Sequence, residues 1–176
     1  MKIKILTALI VILCTYASYM VIDEFFVSKQ VKLITHDQTF QELPPLKFTD
    51  IQGKPVLLNE FKDNIILFNF WASWCPPCIK EFPSLINLVK QHKGNIKLVA
   101  ISSDDKKEDL QSFLQKQKFQ DPNIFIVWDS NQETTNKLLV KKLPETFIIK
   151  NNKIIKKASG FENWTSKYWL DYFNNL

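Results

Sequence analysis

The stretch Ile65-Ile66-Leu67-Phe68-Asn69-Phe70-Trp71-Ala72-Ser73-Trp74-Cys75-Pro76-Pro77-Cys78 decides how this chain is read. Ile65 to Trp71 is apolar except for Asn69, the pattern of a strand buried on both faces. After Cys78, Ile79, Phe82, Leu85, Ile86 and Val89 recur at helical spacing, and Gly94 ends the run. The two thiols therefore fall between the end of a strand and the start of a helix. Such a pair can close a small disulfide ring and reopen it, and in this context it reads as a redox site. A structural zinc site would need four ligands. Cys14 lies in the apolar N-terminus, and His36 and His92 have no ligand spacing. A purely structural disulfide across so short a loop would constrain the unfolded chain little.

At a helix N-terminus, the dipole and the free backbone donors favour the thiolate, so Cys75 is the candidate nucleophile. Cys78, one turn further in, suits the resolving role. Pro76 and Pro77 have no N–H and remove two donors from beside Cys75. The Cys75 pKa should be less depressed for that reason.

Outward from this stretch, the folded part begins near Leu43-Pro44-Pro45. Leu46 to Ile51 alternates like a strand, and Gly53-Lys54 turns into Val56-Leu57-Leu58. Pro83 should kink the helix that follows Cys75. Ile96 to Ile101 is the next strand. Ser103-Asp104-Asp105 should cap a helix running to about Lys118. A strand over Ile124 to Trp128 and a helix over about Gln132 to Val140 follow. Thr146 to Ile149 and Lys153 to Ile155 flank Asn151-Asn152 as a hairpin, and Trp164 to Asn175 forms a closing helix. Strands alternating with helices, then a hairpin and helix, predict an α/β fold around a mixed sheet.

With 176 residues, 45% of them apolar, the chain can bury one real core. Only 3 Gly are present and there is no Gly-rich phosphate loop. The net charge of +5 is carried by Lys without any Arg, the residue that reads nucleic acid bidentately. Lys141, Lys142, Lys153, Lys156 and Lys157 could face an anionic membrane or acidic partner, but scattered among 18 acids the lysines read as a solvated surface. Met1 to Lys4 is basic, residues 5–22 carry no charge, and Asp23-Glu24 follows. This predicts a single transmembrane anchor with its N-terminus in the cytoplasm. Thr15-Tyr16-Ala17 resembles a signal-peptide cleavage site, but the apolar run continues through Met20-Val21-Ile22 and favours the anchor. Cys14 follows Leu13, where a lipoprotein signal would place a small residue, and reads as membrane packing. Either way the domain is exported to a compartment where disulfides matter. Residues 23–42 read as a tether, and 43–176 as the catalytic domain.

Phe70-Trp71-Ala72-Ser73-Trp74-Cys75-Pro76-Pro77-Cys78, followed by Lys80-Glu81-Phe82-Pro83 and by Leu143-Pro144-Glu145-Thr146-Phe147, resembles the membrane-anchored thioredoxin-like proteins of the TlpA, ResA and CcmG (DsbE) type. Asp50-Ile51-Gln52-Gly53-Lys54 and Gly160 before Trp164 are also similar to this group. The resemblance spans about Leu43 to Leu176. It implies a thioredoxin fold, a central mixed sheet flanked by helices, with no cofactor. It also implies a reducing role on the periplasmic side of the cytoplasmic membrane. The implied partners are disulfide-bearing exported proteins such as apocytochrome c, with a membrane thiol reductase as electron donor.

By the same resemblance, Pro144 corresponds to a cis-proline beside the cysteine pair, presenting backbone to an extended substrate together with Leu143 and Glu145. From the residues alone, a trans turn proline is equally open. Trp74 resembles an exposed tryptophan beside the nucleophile, with core packing as the alternative, and Pro76 adjoins it. Glu81 stands on the face of Cys78 one turn on, where the resembling proteins carry an acid that modulates thiol protonation; a solvated helix glutamate is the alternative. Thioredoxin has a buried aspartate six residues before its first cysteine, and this chain has Asn69 there, which makes Glu81 the better proton acceptor. A carboxylate at Glu81 or Glu145 close to the thiols would raise their pKa and favour a reducing pair.

Other uses of the fold are an oxidant or isomerase, a peroxidase and a copper chaperone. A peroxiredoxin-type peroxidase would need Thr or Ser at Ala72 and Pro near Phe68. A Sco-type copper chaperone would need CxxxC and a later His, and no His follows His92.

Overall fold

The structure, a computed structural model, describes Tyr16, residues 41–117 and residues 121–176. The strands are β1 (Gln41–Glu42), β2 (Phe48–Thr49), β3 (Pro55–Val56), β4 (Ile65–Trp71), β5 (Ile96–Ser102), β6 (Ile124–Trp128), β7 (Glu145–Lys150) and β8 (Lys153–Ser159). The helices are α1 (Pro76–Gln91), α2 (Lys107–Gln117), α3 (Glu133–Lys137) and α4 (Lys167–Asn174), and a 3-10 turn spans Leu58–Phe61. Six strands form one sheet in the order β1-β8-β7-β4-β5-β6, and β2 pairs with β3 separately. β4 runs parallel to β5 and antiparallel to β7.

All seven residues of β4 are buried, as a nearly continuous apolar run requires of a strand covered on both faces. Alternation sends Ile65, Leu67 and Trp71 to one face, where Leu85 and Leu88 of α1, Leu110 of α2 and Trp169 and Phe173 of α4 cover them. Ile66, Phe68 and Phe70 face the other way, against Leu43, Phe48, Val56, Phe61 and Leu138. Each such side chain contributes about 1.5–3 kcal/mol when fully buried. Under the C-terminal end of β4, the Trp71 ring lies 4.7 Å from that of Phe82 and 5.1 Å from that of Phe113. This aromatic cluster gives the strand-to-helix junction a rigid floor.

Several elements differ from their sequence outlines. Gln41–Glu42, read as the end of the tether, pairs with β8. The strand expected over Leu46 to Ile51 is only Phe48–Thr49, because the Asp50 carboxylate accepts the backbone N–H of Gln52 (2.9 Å) and Lys54 (2.8 Å) and turns the chain. α2 starts at Lys107, and Asp104 does not cap it: the Asp104 carboxylate turns to Ser73 instead. α3 stops at Lys137, and Leu139 takes a left-handed φ of 52°. α4 starts three residues after Trp164, whose indole is buried in the core. The Asn151-Asn152 hairpin has φ of 52° and 59°, the pattern of a type I′ turn. The expected anchor and the rest of the tether lie outside the described residues, Tyr16 excepted. No helix among the described residues is long and apolar enough to cross a membrane.

Candidate active site

Cys75 is the N-cap of α1 in extended conformation, with Pro76 and Pro77 opening the helix. Proline fits there because the first N–H groups of a helix have no internal partner. Cys75 and Cys78 are joined in a disulfide with Cα atoms 5.3 Å apart. Both sulfur residues are buried, Cys75 4% exposed and Cys78 1%. They differ in place along the chain: Cys75 is the N-cap, next to exposed Trp74, whereas Cys78 lies within the first turn of α1. Trp74 is 62% exposed, which places it on the surface beside the pair.

The second motif meets the first across the sheet. The Leu143–Pro144 peptide is cis. Glu145 lies opposite Phe70, so Pro144 is level with Trp71, at the end of the sheet from which the loop to Cys75 departs. The Pro144 carbonyl accepts the Gly160 N–H at 2.8 Å. Leu143 is half-buried against both core clusters.

Glu81 is 1% exposed and not a solvated helix residue. Its Oε1 accepts from Asn69 Nδ2 at 3.2 Å and its Oε2 from the Glu162 backbone N–H at 2.9 Å. Asn69 Nδ2 also donates to Thr146 Oγ1 at 2.9 Å, which ties the carboxyl to the strand after the cis-proline. Burial pushes the Glu81 carboxyl up from 4.5 to about 7, and the Glu162 charge acts in the same direction. The Asn69 amide, the Glu162 N–H and the Trp164 indole oppose the rise. The indole N–H faces the carboxyl without reaching hydrogen-bond geometry to any acceptor. Helical spacing puts Glu81 one turn from Cys78. A carboxyl raised toward neutrality thus lies one helical turn from Cys78.

Glu145 does not join this group. Thr146 faces α1 through Asn69, so Glu145 points to the opposite face of the sheet. There it pairs with Lys157 at 3.0 Å, and its Oε1 accepts a hydrogen bond from the Ser159 hydroxyl. Its Oε2 meets the ammonium as an ion pair and has no hydrogen bond of good geometry. The expectation that Glu145 acts on the thiols beside Glu81 is therefore corrected, and the cause is the period-2 alternation of β7. Sequence reasoning missed the Asn69–Thr146 link, 77 residues apart, and the Glu162 N–H, 81 residues from its acceptor. No local pattern signals either one. Ala72 and Phe68, where a peroxidase would carry Thr or Ser and Pro, are fully buried in the core. No group of metal-ligating side chains occurs among the described residues.

A cysteine pair closing a ring at the mouth of a helix, just after a central strand of a mixed sheet whose end is level with a cis-proline, defines a thioredoxin-fold thiol-disulfide oxidoreductase. Residues 40–158 match the AhpC/TSA family, and the chain belongs to that family. The thiol-disulfide oxidoreductase ResA of Bacillus subtilis (strain 168) is 27% identical over 175 residues, covering 98% of this chain and 92% of that protein. ResA of Bacillus cereus (strain ATCC 10987 / NRS 248) is 30% identical over 122 residues, covering 68% of this chain and 69% of that one. A Chlorobium tepidum structure, assigned as the thiol:disulfide interchange protein DsbE, matches with a TM-score of 0.66 at 25% identity, over 77% of this chain and 94% of its own. The resemblance to ResA- and DsbE-type proteins read from the motifs holds, and the chain is an enzyme of thiol-disulfide exchange.

Proposed function

We propose that this enzyme is a membrane-tethered reductase of exported protein disulfides, acting in cytochrome c maturation, with Cys75 attacking and Cys78 resolving. The observation that carries this reading is Glu81, buried one turn from Cys78 with its carboxyl raised to about 7. Where that carboxyl ionises beside the thiols, its negative charge disfavours a thiolate and so favours the dithiol, a reducing pair. In the first step the Cys75 thiolate attacks one sulfur of the substrate disulfide and the other sulfur leaves as a thiolate. Cys78 loses its proton and attacks Cys75 in the second step, which releases the remaining substrate thiol. Two electrons pass to the substrate and the enzyme ends as the Cys75–Cys78 disulfide. A membrane thiol reductase returns it to the dithiol. Apocytochrome c, with its haem-attachment cysteines, is the proposed substrate.

Trp74 and Pro76 on one side, and Leu143 and Pro144 on the other, border the place where an extended substrate would lie. Anchoring by residues 5–22 in the cytoplasmic membrane, with the catalytic domain on the periplasmic side, is supported by the lysines before the apolar run and the acids after it. Equilibration of the purified protein against a thiol redox buffer tests the direction of electron flow. The expected potential is about −230 mV or lower, in the range of glutaredoxins and thioredoxin. A value near about −120 mV would mean an oxidant and would end the reductive reading.

A further inference from the structure

We infer that Asp104 is a positioning residue for the exchange reaction, clamping the three-residue link Ala72–Trp74 that delivers Cys75 to the mouth of α1. Asp104 is 1% exposed, and no lysine among the described residues forms an ion pair with it. A buried carboxylate is expensive unless hydrogen bonds replace its water. Here Ser73 supplies most of them. Its backbone N–H is shared between Oδ1 and Oδ2, 3.1 Å from each, and its hydroxyl donates to Oδ1 at 2.6 Å. The Ser102 hydroxyl donates to Oδ2 at 2.6 Å.

Asp104 is itself fixed to the sheet. Its carbonyl accepts the Trp128 indole N–H at 2.7 Å, and the neighbouring Ser103 N–H donates to the Trp71 carbonyl at 2.8 Å. The clamp therefore joins the frame of β5 and β6 to the residue two positions before Cys75. Two residues of chain reach no further than about 7 Å, so a hold on Ser73 confines Cys75 closely. α1 holds Cys78 independently, as part of the helix.

In the oxidised enzyme the disulfide itself restrains this link. In the dithiol form the Asp104 clamp is what keeps the Cys75 sulfur in reach of Cys78 and facing an incoming disulfide. Its loss lowers the effective concentration of one thiol at the other and makes ring closure less favourable. The reduction potential then rises. A side chain that only stabilised the fold would weaken both redox forms alike and leave the potential where it was.

The inference rests on Cys75 as the attacking thiol but not on the direction of electron flow. Alkylation of the dithiol form with iodoacetamide, followed by mass mapping, shows which thiol reacts first in the unaltered protein, so an error in that assignment appears before any variant is made. Asp104→Ala, Asp104→Asn, Ser73→Ala and Ser102→Ala are then compared by potential and by the rate of reduction of a small aromatic disulfide. Asp104→Ala is expected to slow exchange about 100-fold, as a misplacement of about 1 Å can. It should also favour the dithiol about tenfold, equivalent to about 30 mV.

Asp104→Asn, which retains one acceptor for Ser73, recovers most of both effects. Ser73→Ala, which loses only the hydroxyl bond, moves both in the same direction by less. Ser102→Ala touches the carboxylate without touching the link, and stays within about twofold of the parent. Unchanged potentials in Asp104→Asn and Ser73→Ala, or a Ser102→Ala shift as large as that of Ser73→Ala, would overturn the proposal even if Asp104→Ala fails to fold.

Discussion

Cys75→Ser is expected to lower disulfide exchange by at least about a thousandfold, whereas Cys78→Ser retains the first attack and accumulates a covalent enzyme–substrate disulfide. The asymmetry follows from where α1 begins. Cys75 is its N-cap, beside exposed Trp74 and Pro76, where the helix dipole favours the thiolate. Cys78 lies within the first turn of α1, 1% exposed and bonded to Cys75. A serine at 75 removes the group that meets the substrate. A serine at 78 removes only the group that releases it. Non-reducing mass spectrometry with a protein disulfide as substrate separates the two cases. Trapping by Cys75→Ser and not by Cys78→Ser would reverse the assignment of roles.

The Cys75–Cys78 pair was legible because its signal is local. Strand, thiols and helix follow one another within one stretch, and each has its own periodicity. The Asn151-Asn152 turn was legible for the same reason, since left-handed φ at both positions is a matter of residue type. What stayed hidden was set by partners far along the chain. Asp104 looks like a helix cap beside Asp105, and only the parallel pairing of Trp71 with Ser102 brings it to Ser73. Glu145 sits next to the cis-proline in sequence, yet the alternation of β7 turns its carboxylate to Lys157 and away from α1. Glu81 was found as a residue, but its burial depends on the loop after β8, which covers it with the Glu162 backbone and the Trp164 ring.

That covering leads to the second large effect. The oxidised protein is expected to lose about 3 kcal/mol of stability as pH rises from 4.5 to 7, and Glu81→Gln to abolish that loss. The native carboxyl titrates at about 7 against 4.5 in the unfolded chain, so the folded state holds its proton more tightly. Stability from this source is fully present below pH 4.5 and disappears as pH climbs through 7. Each pH unit separating the folded from the unfolded titration is worth about 1.4 kcal/mol. Tyr172 is also raised, by burial against the opposing Lys156 charge, but it titrates above 10 and outside this window.

Glutamine keeps the shape and cannot ionise. Its oxygen can still accept the Glu162 N–H, and an amide flip of Asn69 lets its oxygen accept from both the new amide and the Thr146 hydroxyl. The network is then satisfied without a proton, and the variant should be the more stable protein above pH 7. Urea unfolding at pH 5, 6, 7 and 8 measures the slope directly. Parallel slopes in parent and variant would place the titrating group elsewhere. In the reduced enzyme, by the role proposed for Glu81, the same substitution removes the charge that opposes thiol ionisation. The pH profile of exchange should therefore lose its inflection near 7 while attack by Cys75 continues.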